Sequence, residues 1–472
     1  MVALDPAALH DSLRDPVLGS IGFLNEVMGR YPDAISFAPG APHPDFHDEL
    51  DVHRYVERFL DHLVRVEGHD PERARRLLYE YGPARGLING IVAEALRRDQ
   101  GIDVPPAAIV ITVGAQEAML LALRALFGSS RDLLAVASPC FVGIVGAARL
   151  LDVGVVPVRE TEHGIDLEAL TEACRTARRD GHRVRACHLA PDFANPGGGR
   201  MSLDHRRDLL RLAQQEELLL IEDNTYGFTA APTDELPSLK ALDIDGRVLH
   251  IGTFAKTCFP AARVGYIVAD QPITAENPSH SDPAPKRSGR TGLDAGPTGL
   301  DARPGGLDAR PGGLDAGHGG ERLLATELAA LKSMITVNTA PLSQAAVAGF
   351  LLEHGGSLAE PSHRRAAIYR RNLACLLAAL DRHLGEPPPA GVTWNRPEGG
   401  FFVRVRLPVP VDLDLLEVSA AKYGVLWTPM APFYLDGGGD HQLRLSCSYL
   451  DPEQIETGVR RLADFIREEI GV

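Results

Sequence analysis

The stretch Leu249-His-Ile-Gly-Thr-Phe-Ala-Lys256-Thr-Cys-Phe-Pro260-Ala-Ala-Arg263-Val-Gly265 sets one lysine among Phe254, Cys258, Phe259 and Pro260, with an arginine seven positions on. Apolar flanks desolvate an amine and favour its neutral form, the form that condenses with a carbonyl to a Schiff base. Arg263 offers a planar, permanently charged fork suited to a phosphate. A solvated surface pair would carry the same residue types, so the other polar stretches have to decide.

Four of them bear on the question. The apolar run Leu218–Ile221 leads straight into Glu222-Asp223-Asn-Thr-Tyr226. Exposed, these residues make a polar turn; buried at a strand end, a carboxylate needs a cationic partner. A protonated pyridine nitrogen is one candidate, and its protonation makes the ring an electron sink. In Ile111-Thr-Val-Gly114-Ala115-Gln116 a strand ends in glycine and opens a helix. The free N–H groups and dipole of a helix N-terminus hold anions, although a plain strand–helix turn reads the same. Phe141, after Ser138-Pro-Cys140, could stack on a planar ring or fill the core. Asn195, in Ala194-Asn195-Pro196-Gly197-Gly198, could hydrogen-bond a phenolic oxygen or simply form the turn.

The elements that must position these residues follow from periodicity. Seven apolar runs read as strands: 108–112, 133–137, 153–158, 184–189, 218–222, 248–253 and 264–269. Helical patterns at 116–127, 167–179 and 203–215 separate several of them, which predicts a mostly parallel sheet covered on both faces. Ligands of such sheets bind at the carboxyl ends of strands, where the stretches above lie. At 472 residues the chain requires two or three lobes. Residues 1–50 are read as an N-terminal segment with a helix over Leu13–Met28, then a Pro/Gly loop containing Gly40. Residues 51–270 form the large domain, in which Tyr79-Glu-Tyr81 interrupts helical patterning, and 321–350 complete it and supply an interdomain helix. Residues 351–472 form a smaller α+β domain, with strands at 399–407, 425–429 and 442–446 and helices at 362–384, 413–423 and 452–469. Between 271 and 320 the composition turns to Gly, Pro, Asp and Arg, with four copies of a seven-residue Gly-Leu-Asp-Ala repeat. One leucine and several helix breakers per copy exclude a coiled coil and predict a disordered insertion without chemistry.

Bulk properties narrow the function. A net charge of −15 argues against nucleic acid or an anionic membrane as partner. Six cysteines without CxxC pairing read as reduced thiols of a cytoplasmic protein. His43 and His47 have HxxxH spacing, but Pro42 and Pro44 disfavour the helix that would align the rings, so no metal site is expected. The N-terminus has no signal-peptide pattern, and no apolar run is long enough to span a bilayer.

Asp-x-x-Tyr, then Thr-Phe-Ala-Lys about thirty residues on with arginine seven further, all preceded by Asn-Pro-Gly, resembles the class I/II aminotransferases. Ser36-Phe-Ala-Pro-Gly40-x-Pro is similar to their aminoadipate/kynurenine-type branch, and Phe23-Leu-Asn-Glu resembles aminotransferases of actinobacterial natural-product pathways. The resemblance implies an aspartate-aminotransferase-like fold (PLP fold type I): α/β, with a mostly parallel seven-stranded large domain and a smaller α+β domain. It implies pyridoxal 5′-phosphate as cofactor, amino-acid and 2-oxo-acid substrates, and a homodimer with active sites shared across the interface. Lys256 would carry the cofactor as a Schiff base and move the proton at the substrate Cα. Asp223 would pair with the pyridine nitrogen, Tyr226 and Asn195 with the phenolic oxygen, and Phe141 would stack on the ring. Gly114, Ala115, Gln116, Thr253 and Arg263 would hold the phosphate, joined by Tyr81 from a second subunit. Arg444 would clamp the substrate α-carboxylate with Asn195, and the backbone of Gly40 would close over it. Ala115 and Ala255 stand where the family often has hydroxyls, and Asn-Pro-Gly-Gly-Gly replaces its usual turn; neither removes a group the chemistry requires. A pyridoxal-phosphate lyase, cyclase, oxidase or decarboxylase on the same fold would share these residues. A cofactor-binding transcriptional regulator is disfavoured by the acidic chain and the short segment before Ile35.

Overall fold

The computed structural model describes residues 4–15, 17–18, 26–273, 322–385 and 387–471. A two-residue strand, β1 (Ile35–Ser36), precedes the strands of the large sheet: β2 (Ile109–Thr112), β3 (Asp132–Ser138), β4 (Gly154–Thr161), β5 (Gly164–Ile165), β6 (Arg183–Leu189), β7 (Leu219–Asp223), β8 (Val248–Thr253) and β9 (Gly265–Val268). Across the sheet the order is β2-β9-β8-β7-β6-β3-β4-β5. The run β8-β7-β6-β3-β4 is parallel, while β9 is antiparallel to both its neighbours. All seven expected strands form, and β5 adds a short hairpin partner at the edge.

Both faces are covered, which is why the central strands are apolar throughout. Helices Gly114–Leu126, Val142–Leu150 and Leu324–Ile335 pack with Val110, Val136, Ile221 and Ile251 on one face. Helices Leu167–Arg179 and Leu203–Gln215 pack with Ala135, Cys187, Leu189 and Leu220 on the other. The latter two start where a side chain supplies the missing acceptor: Asp166 takes the N–H groups of Glu168 and Ala169, both at 3.0 Å, and Ser202 takes that of His205 at 3.3 Å.

The second core is built on strands β12 (Thr393–Trp394), β13 (Phe402–Arg406), β15 (Thr428–Pro429) and β16 (Gln442–Ser446), paired antiparallel in the order β12-β13-β16-β15. Helices Ala359–Leu384 and Pro452–Phe465 bury Leu376, Leu380, Val459 and Leu462 against Val403, Leu443 and Trp427. The N-terminal segment belongs to this core, since β1 pairs in parallel with β14 (Val425–Leu426) and Phe37 is fully buried there. The strand expected over 425–429 is therefore two, one on each side of buried Trp427, because its halves pair with different partners. The helix expected over Leu13–Met28 does not begin at Leu13. Asp11–Arg14 is a 3-10 turn closed by extended Asp15, as a residue before proline prefers. Residues 26–30 are helical; 16 and 19–25 lie outside the described residues.

The repeat-bearing stretch, 274–321, also lies outside the described residues. Its flanks, β10 (Pro272–Ile273) and β11 (Arg322–Leu323), pair antiparallel, so its two ends are neighbours in space. Deleting 275–318 is accordingly expected to leave cofactor uptake intact and the melting temperature within a few degrees of the parent. A deletion variant that does not fold would show that the segment contributes to the fold.

Candidate active site

At the end of β2 the chain turns into helix Gly114–Leu126 at a glycine with φ of +71°, where no side chain would fit: a Cβ would lie 2.7 Å from Arg263 Nη2. Arg263 is itself held in left-handed backbone (φ 51°) after the 3-10 turn Pro260–Ala262. Its guanidinium thus lies against the free N–H groups of a helix start, which makes a strongly cationic corner. Gln116 donates to the Gly143 carbonyl at 2.7 Å. Gly143 has no room for a side chain, because Phe141 and Gln116 occupy that space.

Lys256 stands in the turn after β8, and its Nζ donates to the carbonyl of Gly40 in the N-terminal segment. Burial, and then the charges of Arg263 and Arg444, lower its pKa from the ordinary lysine value to about 8. A Cβ on Gly40 would lie 2.7 Å from the ring of Phe402, so the backbone can cross the site only as glycine. Thr253 accepts the Ala255 N–H at 3.2 Å and lies on the same cavity wall.

Asp223 ends β7 in a buried position, accepting from the Thr225 hydroxyl at 2.6 Å. Burial pushes its carboxyl up to about 6, only partly offset by Thr225. A buried carboxylate without a cation is costly, so the position calls for a positive partner from the cavity. Tyr226 is buried edge-on to Phe401 and Phe402, with centroids at 5.0 and 5.6 Å.

Arg444, on β16, is the counterpart in charge. It donates to Asn195 Oδ1 at 2.6 Å, the Ala38 carbonyl at 2.8 Å and the Thr428 hydroxyl at 3.2 Å. The rings of Phe402 and Phe433 flank it at 4.4 and 5.2 Å. Its Nε has no partner, and among the described residues no carboxylate pairs with it. Burial lowers its pKa to about 10.

One cavity of about 1050 Å³ unites these groups: Gly40, Ala115, Gln116, Phe141, Asn195, Asp223, Tyr226, Thr253, Lys256, Arg263 and Arg444 all line it. Gly114 adjoins it through Arg263. Tyr81 is not brought there; it is 87 % exposed on the surface of the chain. Asn195 takes Arg444 as its partner in this state. Sequence reasoning missed Thr225, Thr428, His188 and Glu160, which also line the cavity. Only Thr225 had a local signal, a hydroxyl two residues beyond the carboxylate it serves. Among the described residues, no cluster could hold a metal ion and no helix is long and apolar enough to cross a membrane.

The donor set fits pyridoxal phosphate: a depressed lysine, a buried carboxylate lacking its cation, and a cationic helix start for a phosphate. Comparison with known proteins agrees. The family model for aminotransferase class I and II matches residues 72–462. The chain is 43% identical to the (S)-3,5-dihydroxyphenylglycine transaminase of Amycolatopsis orientalis, over 98% of this chain and 94% of that protein. Among solved structures, the multiple substrate aminotransferase of Thermococcus profundus superimposes with a TM-score of 0.73 at 26% identity, covering 96% of this chain and 95% of that one. LysN, the α-aminoadipate aminotransferase of Thermus thermophilus, complexed with N-(5′-phosphopyridoxyl)-L-leucine, gives 0.70 at 26% identity, with 97% and 98% covered. A chain with this cavity, matched by that family model over most of its length, belongs to the class I and II aminotransferases and is a pyridoxal-phosphate-dependent aminotransferase.

Proposed function

We propose that the chain transfers the amino group of a non-proteinogenic α-amino acid to a 2-oxo acid, and that the residues named above do this in the following roles. The observation that carries the reading is Arg444: a buried guanidinium that no carboxylate among the described residues pairs with, in one cavity with a depressed lysine. The substrate's α-carboxylate is the anion that would complete it, with bidentate geometry that a guanidinium prefers.

When bound, pyridoxal phosphate supplies a carbonyl that condenses with amines and a ring that accepts the electron pair left at Cα. Asp223 would hold the ring nitrogen protonated, and Tyr226 with Asn195 would hold the phenolic oxygen. Phe141 would cover one face, while the amides of Gly114, Ala115 and Gln116, with Thr253, Arg263 and Tyr81 of the partner subunit, would fix the phosphate. Lys256 would take the proton from the substrate Cα and give it back later in the transfer. Arg444 and Asn195 orient the carboxylate so that the Cα–H bond faces that amine. Phe402 and Phe433 keep water from the clamp.

The dimer is supported by exposed Tyr79 and Tyr81, 82 % and 87 % accessible in a single chain, together with exposed Met334 and Val337. Six free cysteines, five of them buried, support a reducing, cytoplasmic setting. The substrate class is supported by the named activity of the Amycolatopsis relative.

The test is a panel of α-amino acids, 3,5-dihydroxyphenylglycine included, incubated with 2-oxo acids while the new amino acid is measured. Ammonia or carbon dioxide released without amino transfer would overturn the proposal. A pH profile tests Lys256 separately. With its pKa at about 8, the neutral amine fraction grows with pH up to that point and then saturates. Reconstitution of apoenzyme with pyridoxal phosphate is expected to speed up about tenfold per pH unit below pH 8 and level off above it. A rate still climbing at pH 10 would mean that the lysine is not depressed.

A further inference from the structure

Another buried guanidinium bears on the lysine. Arg365, in helix Ala359–Leu384, is 2 % exposed, and among the described residues no carboxylate pairs with it. Its Nη1 donates to the carbonyls of the two residues that follow Lys256, Thr257 and, at 2.9 Å, Cys258. Phe46 and Phe350 flank the guanidinium, with ring centroids at 5.0 and 5.5 Å.

Buried cations elsewhere in the chain have acids beside them: Asp192 is 2.5 Å from Arg206, and Glu117 is 2.6 Å from Lys332. Burying a guanidinium costs desolvation, and an apolar side chain of similar volume would serve the fold as well or better. An apolar side chain could not hold two consecutive carbonyls. Those carbonyls belong to the turn that carries Lys256.

The same helix also holds what Lys256 faces. Tyr369, one turn after Arg365, is fully buried, and its hydroxyl accepts the His43 N–H at 3.3 Å. His43 is three residues beyond Gly40, whose carbonyl receives the Lys256 amine. Phe46 closes this segment against both side chains, its ring 5.8 Å from that of Tyr369. One face of one helix thus fixes the lysine turn and the segment that crosses the site. The contact acts through the backbone, since the charges that depress the lysine are those of Arg263 and Arg444.

We propose that Arg365 is a positioning residue for Lys256, holding the Thr257 and Cys258 carbonyls so that the amine reaches the substrate Cα. The assignment rests on the aminotransferase reading and adds to it a residue outside the cavity lining.

The experiment uses Arg365→Met, which keeps most of the volume and removes the donors. With the most active amino acid of the panel above, the holoenzyme variant is expected to lose about 10–100-fold in kcat, with KM within about twofold of the parent. A misplacement of about 1 Å costs a rate of that order. The primary isotope effect on kcat from the α-deuterated substrate should not fall below the parent's, because proton transfer is the step slowed. Arg365→Lys, which can still donate to a carbonyl, should recover part of the rate. An unchanged kcat, a loss that falls on KM, a smaller isotope effect, or a lysine variant no better than methionine overturns the proposal. A second arm reads amide hydrogen exchange in the apoprotein. In the parent the Cys258 N–H, which donates to the Phe254 carbonyl at 2.8 Å, is expected to be protected. In Arg365→Met it should exchange about tenfold faster or more. Exchange in the parent as fast as in an exposed loop overturns the proposal even if neither variant folds. Amino transfer absent from the parent, with the exchange still dependent on Arg365, would count against the reaction assigned and support the positioning.

Discussion

Lys256→Ala is expected to abolish amino transfer, lowering kcat by roughly 10⁴-fold or more, and to remove the absorbance of the lysine-bound cofactor. In the proposed roles two functions are lost at once, because the same amine would both hold the cofactor and handle the Cα proton. The surroundings point to that double use. Among the described residues no carboxylate pairs with Nζ; it faces the Gly40 carbonyl and the positive charges of Arg263 and Arg444. A lysine kept for stability would be paired with an acid, as Lys332 is with Glu117 at 2.6 Å and Lys240 with Asp270 at 2.7 Å. Lys256 instead is poised for deprotonation. The variant should still bind the cofactor non-covalently, because the cationic corner at Gly114 and Arg263 and the carboxylate of Asp223, proposed to hold its phosphate and ring nitrogen, are untouched. Retention of cofactor without its lysine-bound absorbance, and without turnover, is therefore the expected pair of results. Full activity in Lys256→Ala would remove the basis of every role assigned here.

How much of this site could be read from the chain depended on where each residue's signal lay. Lys256, Asp223 and the Gly114 turn each sit where an apolar strand stops, so strand periodicity alone placed them on the same edge of one sheet. Glu160 and His188 lie inside β4 and β6, where the apolar alternation dominates and a polar residue reads as an ordinary strand position. Both line the cavity, which no local pattern of the chain reports. The partner of Asn195 is in the same class. It is Arg444, 249 positions away, brought there by β16 and the N-terminal segment folding onto the small sheet. Trp427 shows the same limit for the fold: an apolar run that reads as one strand is split because its two halves meet different neighbours. The start of the N-terminal helix was open to a better reading, since the proline after Asp15 already disfavours helix there.

Arg444→Ala is expected to lower kcat/KM for α-amino acids by about 10²–10⁴-fold, from the loss of two charge-assisted hydrogen bonds to the α-carboxylate at about 1.5–3 kcal/mol each. The structure gives a reason for expecting the upper part of that range. Arg444 is already oriented, by Asn195, Ala38 and Thr428, and is sandwiched between Phe402 and Phe433, so substrate pays little to order it. It is also desolvated, which strengthens its interaction with an anion. Arg444→Lys should recover little, because a lysine ammonium cannot make the paired contacts and would leave Asn195 without its donor. The loss should be specific to the carboxylate. With an amine substrate that carries no α-carboxylate, parent and Arg444→Ala are expected to show similarly low rates, whereas a packing defect would lower both substrate classes and shift the melting temperature. Equal losses on both classes would mean that Arg444 holds the domains together and does not recognise the substrate.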